Sequence, residues 1–321
     1  MKITVVGPGA VGSYYGAKLA RAGHETHFLL RSDYEQVRRH GVRIVSREGD
    51  FNVRVKCAQS PEKIGPADLV LIALKTTAND ILPKILPPLV NEKTAVLTLQ
   101  NGLGNEESLA SLFPIEQILG GLCFVCLNRT APGVVEHIAH GKIEMGEFQR
   151  WPEPRTHDIA GAFRHAGIPC SVRDNLEKAH WEKLVWNIPF NGLGVASCAG
   201  FEAVRTGVFQ GRVAECLTTD RLIGDENWCG LVRELMTEVI ASGNAYDLRI
   251  PMECADEQIE RTRIMGAYKP STLLDFLRGQ PVELETLFLE PLRRAEHKGV
   301  AVPQLRALCA VLSKLSSGGP V

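Results

Sequence analysis

The sequence has almost no net charge, with 36 Lys and Arg against 37 Asp and Glu. A chain so balanced makes no long-range field that would gather a polyanion, so nucleic acid is not an expected partner. It also lacks any apolar run approaching the ~20 residues that a membrane helix needs. The start, MKITVVGPGA, carries neither the basic segment nor the cleavage site of a secretion signal, and the expected location is the cytoplasm. Nine cysteines, an odd number scattered through the chain, do not make a disulfide framework. Only Cys123 and Cys126 form a CxxC, inside the strand-like run GGLCFVCLN, where residues three apart face opposite ways. No second CxxC or His pair completes a zinc set, so no metal is expected.

What is present is an ordinary globular composition, 45% hydrophobic and 23% charged over 321 residues, enough for about two domains. The first opens on KITVVG, a β-branched run that stops at glycine. GPGAVG follows, comprising Gly7, Pro8, Gly9, Ala10, Val11 and Gly12, and then a helix-period segment. In such a unit Gly7 permits the tight turn, Gly9 lets backbone approach a pyrophosphate, and Gly12 lets helix pack close to strand. The helix N-terminus then offers free N–H groups and the positive end of its dipole to the phosphates. This predicts a dinucleotide-binding domain of Rossmann type.

The next strand, ETHFLL, ends at Arg31. An acidic residue there suits the ribose 2′-hydroxyl of NAD, whereas an arginine accommodates a 2′-phosphate, so NADP(H) is the expected cofactor. GVRIVS and FNVRVKC read as a hairpin, and DLVLIALK as a buried parallel strand ending at Lys75. TTANDILPKILPPLV reads as a broken helix, and TAVLTLQNGLG as another strand and turn. Ligands collect beyond the carboxyl ends of parallel strands, which marks Lys75 and the Gln100-Asn101-Gly102 corner. ILGGLCFVCL, GVVEHIA and GKIEMGE look antiparallel, with turns at Pro132-Gly133 and His140-Gly141. A helix in PRTHDIAGAFRHAG and a strand in IPCSVR complete residues 1–173. Asp174 is placed to cap the next helix.

Residues 174–321 have no strand-like runs and predict an all-α domain. Helical segments are VAECLTTDRL, GLVRELMTEVIASG, ADEQIERTRIMGAY, STLLDFLRG and QLRALCAVLSKL; Gly224 to Trp228 reads as a loop and SSGGP as a disordered tail. The stretch HWEKLVWNIPFN is unusual. On a helix, Lys183, Asn187 and Asn191 fall at four-residue steps on one face, among Trp181, Leu184, Val185, Trp186, Ile188 and Phe190. Pro189 removes an amide from that helix and tends to bend it. From these residues alone, a lysine whose stem covers apolar surface while its head reaches water remains open.

Taken together, these pieces resemble the ketopantoate reductases over nearly the whole chain. The resemblance rests on GPGAVGSYYG, LK at 74–75, QNGLGNEE at 100–107, PGVVEH followed by IEMGE, WEKLVWNIPFNGLG at 181–194 and PSTLLDFLRGQPVELE at 270–285. It implies a helical C-terminal domain like that of 6-phosphogluconate dehydrogenase, and NADPH-dependent reduction of 2-dehydropantoate to (R)-pantoate on the way to pantothenate and coenzyme A. It further implies Lys183 as catalytic proton donor with Glu283 as a second catalytic residue. Asn187, Asn191 and Ser271 match substrate-binding positions, and Lys75 and Asn101 the cofactor side. Tyr268 stands where some members carry asparagine, three residues before the serine.

In that scheme burial among tryptophans lowers the Lys183 pKa and Glu283 opposes the shift. Reduction of a related branched 2-oxo acid is the nearest alternative, and a non-catalytic NADPH-binding sensor the more distant one. A sensor needs only the first domain, which makes the second-domain residues an argument against it. Helical second domains often pair, which makes a homodimer an expectation without a legible interface.

Overall fold

The computed structural model describes residues 1–211 and 214–317, which fall into two compact units. One comprises Met1–Asn101 and Asn105–Leu176, and the other Gly102–Gly104 and Glu177–Val321.

The first unit is built on one ten-stranded sheet. Its strands are β1 (Lys2–Val6), β2 (Glu25–Leu29), β3 (Val42–Ser46), β4 (Phe51–Val53), β5 (Lys56–Ala58), β6 (Leu69–Ile72), β7 (Ala95–Thr98), β8 (Ile118–Ala131), β9 (Val134–Glu147) and β10 (Cys170–Val172). The order β5-β2-β1-β6-β7-β8 is parallel throughout, with β1 in the middle, as in a dinucleotide-binding fold. Alternation along these strands feeds two cores. Ile3, Val5, Leu69, Leu71 and Leu97 join one cluster; Val6, Val70, Ile72 and Val96 join the other. Helices α1 (Ala10–Arg21), α2 (Tyr34–His40), α3 (Leu82–Ile85), α4 (Asn105–Ala110) and α5 (Pro154–His165) accompany the sheet.

Several local expectations need correction. FNVRVKC is not one hairpin arm. Its first part, β4, pairs with β3 at one edge of the sheet, and its second, β5, pairs with β2 at the other. The two edges come close because the sheet wraps α1, which touches β1 and β2 as well as β3, β4, β8 and β9. His140-Gly141 is not a turn: β9 runs through it as a bulge against β8, with both residues at positive φ. The strand in DLVLIALK stops at Ile72, and Lys75 stands at the N-cap of a 3-10 segment, Thr76–Ile81. That segment, α3 and Pro87–Leu89 make up the expected broken helix.

The second unit is helical: α6 (Leu176–Ala196), α7 (Phe201–Thr206), α8 (Thr219–Gly224), α9 (Glu226–Asn244), α10 (Glu253–Arg263), α11 (Ser271–Leu277), α12 (Glu290–His297) and α13 (Pro303–Ser317). Because α6 starts at Leu176, the residue before it is Asn175, and Asp174 is not at the cap. VAECLTTDRL is not a helix. Residues 214–218 are irregular, Val213 lies outside the described residues, and α8 begins only at Thr219. Gly224 to Trp228 is no loop either, since α9 starts at Glu226 with the Asp225 carboxylate accepting from Trp228 N–H at 3.0 Å. α7, α12 and a π segment, Glu285–Leu289, had no clear signal in the sequence. Ser316 and Ser317 of the SSGGP tail are still helical, and the remainder lies outside the described residues.

Gly102–Gly104 joins this unit through Leu103, whose N–H donates to Thr286 O in the π segment at 2.9 Å. Gly102 has φ +88°, and a Cβ there would lie 2.2 Å from the same carbonyl oxygen. Gly102→Ala is therefore expected to lower stability by about 2–4 kcal/mol, read from denaturant unfolding. An unchanged midpoint would contradict this contact.

Candidate functional site

In the first unit the structure gathers four sequence-distant segments at one end of the sheet. The glycine turn follows β1, Arg31 follows β2, Lys75 follows β6 and Asn101 follows β7, and these strands are neighbours and parallel. Gly7 has φ +80°, and a Cβ on it would lie 2.5 Å from the Leu74 side chain, so the turn sits against the residue preceding Lys75. A Cβ on Gly12 would be 2.7 Å from Gly7 O, which is the close helix-to-strand packing the spacing predicts. At Gly9 the nearest atom to a Cβ is 4.0 Å away, so space is open beside the backbone where α1 begins. Pro8 O accepts from Ser13 Oγ at 2.8 Å, which steadies the turn, while Ala10, Val11 and Gly12 form the first turn of α1. Their N–H groups precede the first intrahelical bonds. An open glycine backbone leading into a helix N-terminus fits a pyrophosphate.

Arg31 is exposed, beyond the end of β2. The acid nearest to it in sequence, Asp33, is only 7% exposed and receives Arg129 Nε and Nη2 at 3.1 and 2.6 Å, with Gly133 N–H at 3.2 Å. Burial acts to raise this carboxyl, but the hydrogen bonds and charge of Arg129 outweigh it and hold the pKa below the usual carboxylate value. The stabilisation it provides is thus present at neutral pH and is lost as the pH falls through that lowered value. Asp33 is committed to the β8-β9 hairpin, whereas Arg31 stands exposed past the end of β2.

Buried Gln100 and Asn105, with half-buried Asn79, tie the Lys75 and Asn101 segments together. Gln100 Nε2 donates to Leu74 O (3.0 Å) and Asn79 Oδ1 (2.6 Å). Asn79 Nδ2 donates to Asn105 Oδ1 (3.2 Å), and Asn105 Nδ2 to Asn101 O (3.1 Å). Sequence reading missed Asn79 and Asn105 because they lie in non-periodic polar stretches, where no pattern separates a structural amide from a solvated one.

In the second unit α6 is helical through Pro189, so Lys183, Asn187 and Asn191 do share a face. Lys183 is half-buried, while Asn187 and Asn191 are 8% and 3% exposed. Trp181 is fully buried, and Trp186 packs on Phe190 and donates its indole N–H to Thr262 Oγ1 at 2.9 Å. The stripe does have a partner: Asn191 Oδ1 accepts from Thr272 N–H at 3.1 Å and from Ser271 Oγ at 3.4 Å. One amide thus fastens α6 to the first turn of α11 and leaves Ser271 exposed at its start. Tyr268, just before it, lies with its ring 6.3 Å from that of Trp186. Half-buried Glu283 precedes the π segment, whose Phe288 would be 2.9 Å from a Cβ on Gly192 of α6. A π segment interrupts the regular helical ladder and is frequent at functional positions. The unit therefore presents an ammonium, two amides, a hydroxyl and a carboxylate on α6 and the segments packed around it. Such a set can bind a small polar acid and hand a proton to its oxygen. Among the described residues there is no cluster of His, Cys, Asp and Glu suited to a metal, and no helix is long and apolar enough to cross a membrane.

Comparison with known proteins covers both units. Residues 3–150 match the family model "Ketopantoate reductase PanE/ApbA", and residues 175–316 match "Ketopantoate reductase PanE/ApbA C terminal". A 2-dehydropantoate 2-reductase from Nostoc sp. is 38% identical over 313 residues, spanning 96% of this chain and 92% of its own. The crystal structure of the 2-dehydropantoate 2-reductase of Geobacter metallireducens superposes with TM-score 0.89 at 43% identity, covering 98% of this chain and 99% of that one. The enzyme of the same name from Methylococcus capsulatus gives 0.87 at 32%, covering 98% and 96%. With both of its units matched in order and nearly end to end, the chain belongs to the ketopantoate reductase family.

Proposed function

We propose that this oxidoreductase reduces 2-dehydropantoate to (R)-pantoate with NADPH, using residues 1–173 to hold the cofactor and residues 174–321 to bind and protonate the substrate. When bound, NADPH supplies the hydride that the ketone carbon receives. Gly7 to Gly12 hold its pyrophosphate, Arg31 its 2′-phosphate, and Lys75 and Asn101 contribute from the neighbouring strand ends. Ser271 takes the substrate carboxylate, and Asn187 and Asn191 orient its oxygens. Lys183 stabilises the growing negative charge on the ketone oxygen and gives it a proton. Glu283 is the second catalytic residue and keeps the lysine charged until that transfer.

The observation that carries this reading is the double hydrogen bond at Asn191 Oδ1, which joins the Lys183 helix to the Ser271 turn. A second reading, reduction of a related branched 2-oxo acid, is favoured by Tyr268, whose ring beside Trp186 adds bulk next to Ser271. NADPH oxidation measured with ketopantoate and two other branched 2-oxo acids separates them. The first reading requires the highest kcat/KM on ketopantoate, and a preference for another acid overturns it. The homodimer and the cytoplasmic location belong to the same proposal, and sedimentation of the purified chain tests the dimer.

A further inference from the structure

All nine cysteines are free thiols, and backbone and side-chain bonds lay two of them side by side. Cys198 lies in the 3-10 turn Ser197–Ala199 that ends α6 and is 1% exposed; Cys216 is half-buried in the irregular segment before α8. That segment is laid against the helix end by several bonds: Ala214 N–H to Cys198 O at 2.6 Å, Leu217 N–H to Ser197 Oγ at 2.8 Å, and Cys216 Sγ to Val195 O at 3.8 Å. The two thiols are also neighbours, each the largest influence on the other's acidity.

We propose that Cys198 and Cys216 form a reversible disulfide when the protein meets a hydroperoxide. The neighbouring Cys216 thiol lowers the Cys198 pKa although burial works the other way, and Cys198 together with burial raises that of Cys216. Cys198 is thus the more acidic of the two and the attacking sulfur, and Cys216 is the resolving thiol. The Cys198 thiolate attacks one peroxide oxygen, the O–O bond breaks, and hydroxide leaves, giving a sulfenic acid. The Cys216 sulfur then attacks the Cys198 sulfur, the S–O bond breaks, and the hydroxyl leaves with the Cys216 proton as water. Two thiols are oxidised and one peroxide is reduced.

The crosslink closes the loop 199–215 and clamps the segment leading to Thr219. Thr219 in turn donates its N–H to Tyr268 O at 3.1 Å and its hydroxyl to Gly266 O at 2.8 Å. A clamp on that path changes the setting of Ser271. On the reductase reading, oxidation raises KM for the 2-oxo acid and leaves NADPH affinity unchanged.

The test treats the whole protein with hydrogen peroxide, unfolds it and counts thiols with a chromogenic disulfide. Seven of the nine cysteines are expected to react, and all nine after dithiothreitol. Peptide mass mapping is expected to join Cys198 to Cys216. In Cys216→Ser the Cys198 sulfenic acid should persist and be captured by a cyclic dione. Nine reactive thiols after peroxide, or a bond between other cysteines, overturns the proposal. These counts do not depend on the substrate, so they stand or fall separately from the reductase reading. An unchanged KM in protein that has lost two thiols removes the regulatory role.

Discussion

Lys183→Ala is expected to bind NADPH normally and to lose about 10²- to 10⁴-fold in kcat, the range that a positioned proton donor supplies. At ~1.4 kcal/mol per factor of ten this is roughly 3–5 kcal/mol of transition-state stabilisation. The substitution removes a half-buried side chain from a helix face and leaves buried Trp181, Leu184 and Val185 in place, so thermal unfolding should change little. A fall confined to turnover then separates proton delivery from folding. Arginine at the same position should not rescue the rate, because a guanidinium does not release its proton at neutral pH. Fluorescence titration with NADPH and steady-state turnover on the same preparation give both quantities. Turnover near that of the native protein would take Lys183 out of the chemistry.

Arg31→Ala should weaken NADPH by roughly 10- to 150-fold, the equivalent of one charge-assisted contact of ~1.5–3 kcal/mol. NADH, which has no 2′-phosphate, should be affected far less. The structure sharpens this expectation. Arg31 is exposed just past β2, and the nearby acid Asp33 is held by Arg129 and Gly133, so it is not available to a ribose hydroxyl. Dissociation constants for both cofactors decide the matter. Equal weakening of the two would assign Arg31 to the fold or the pyrophosphate and not to the 2′ position.

The candidate residues differ in how far the sequence alone could place them. Gly7 and Gly12 were legible because a tight turn and a close helix contact exclude side chains, an exclusion written in the residue type, and Gly9 because of its spacing between them. The Lys183-Asn187-Asn191 stripe was legible because helical periodicity is local. The Asn191 bond to Ser271 was not, since a contact across 80 residues leaves no local pattern. Nor was the splitting of FNVRVKC between opposite edges of the sheet, which follows from the sheet curling around α1. Short helices failed for a related reason. α7 and α12 form mainly because neighbouring elements bury one of their faces, and a turn or two of periodicity is too little to read.

By itself the sequence determined that an α/β dinucleotide-binding half precedes a helical half, and which polar residues stand out against their surroundings. Those properties depend on period, glycine spacing and residue type, all of which act within a few positions along the chain. Only the tertiary structure decided which strand ends are neighbours, which amides lock the Lys75 and Asn101 segments, and which residue receives the far end of the lysine stripe. Each of these is a pairing between segments that the chain brings together only by burying its cores, and such pairings are chosen by packing and hydrogen-bond satisfaction rather than by any residue's own preference.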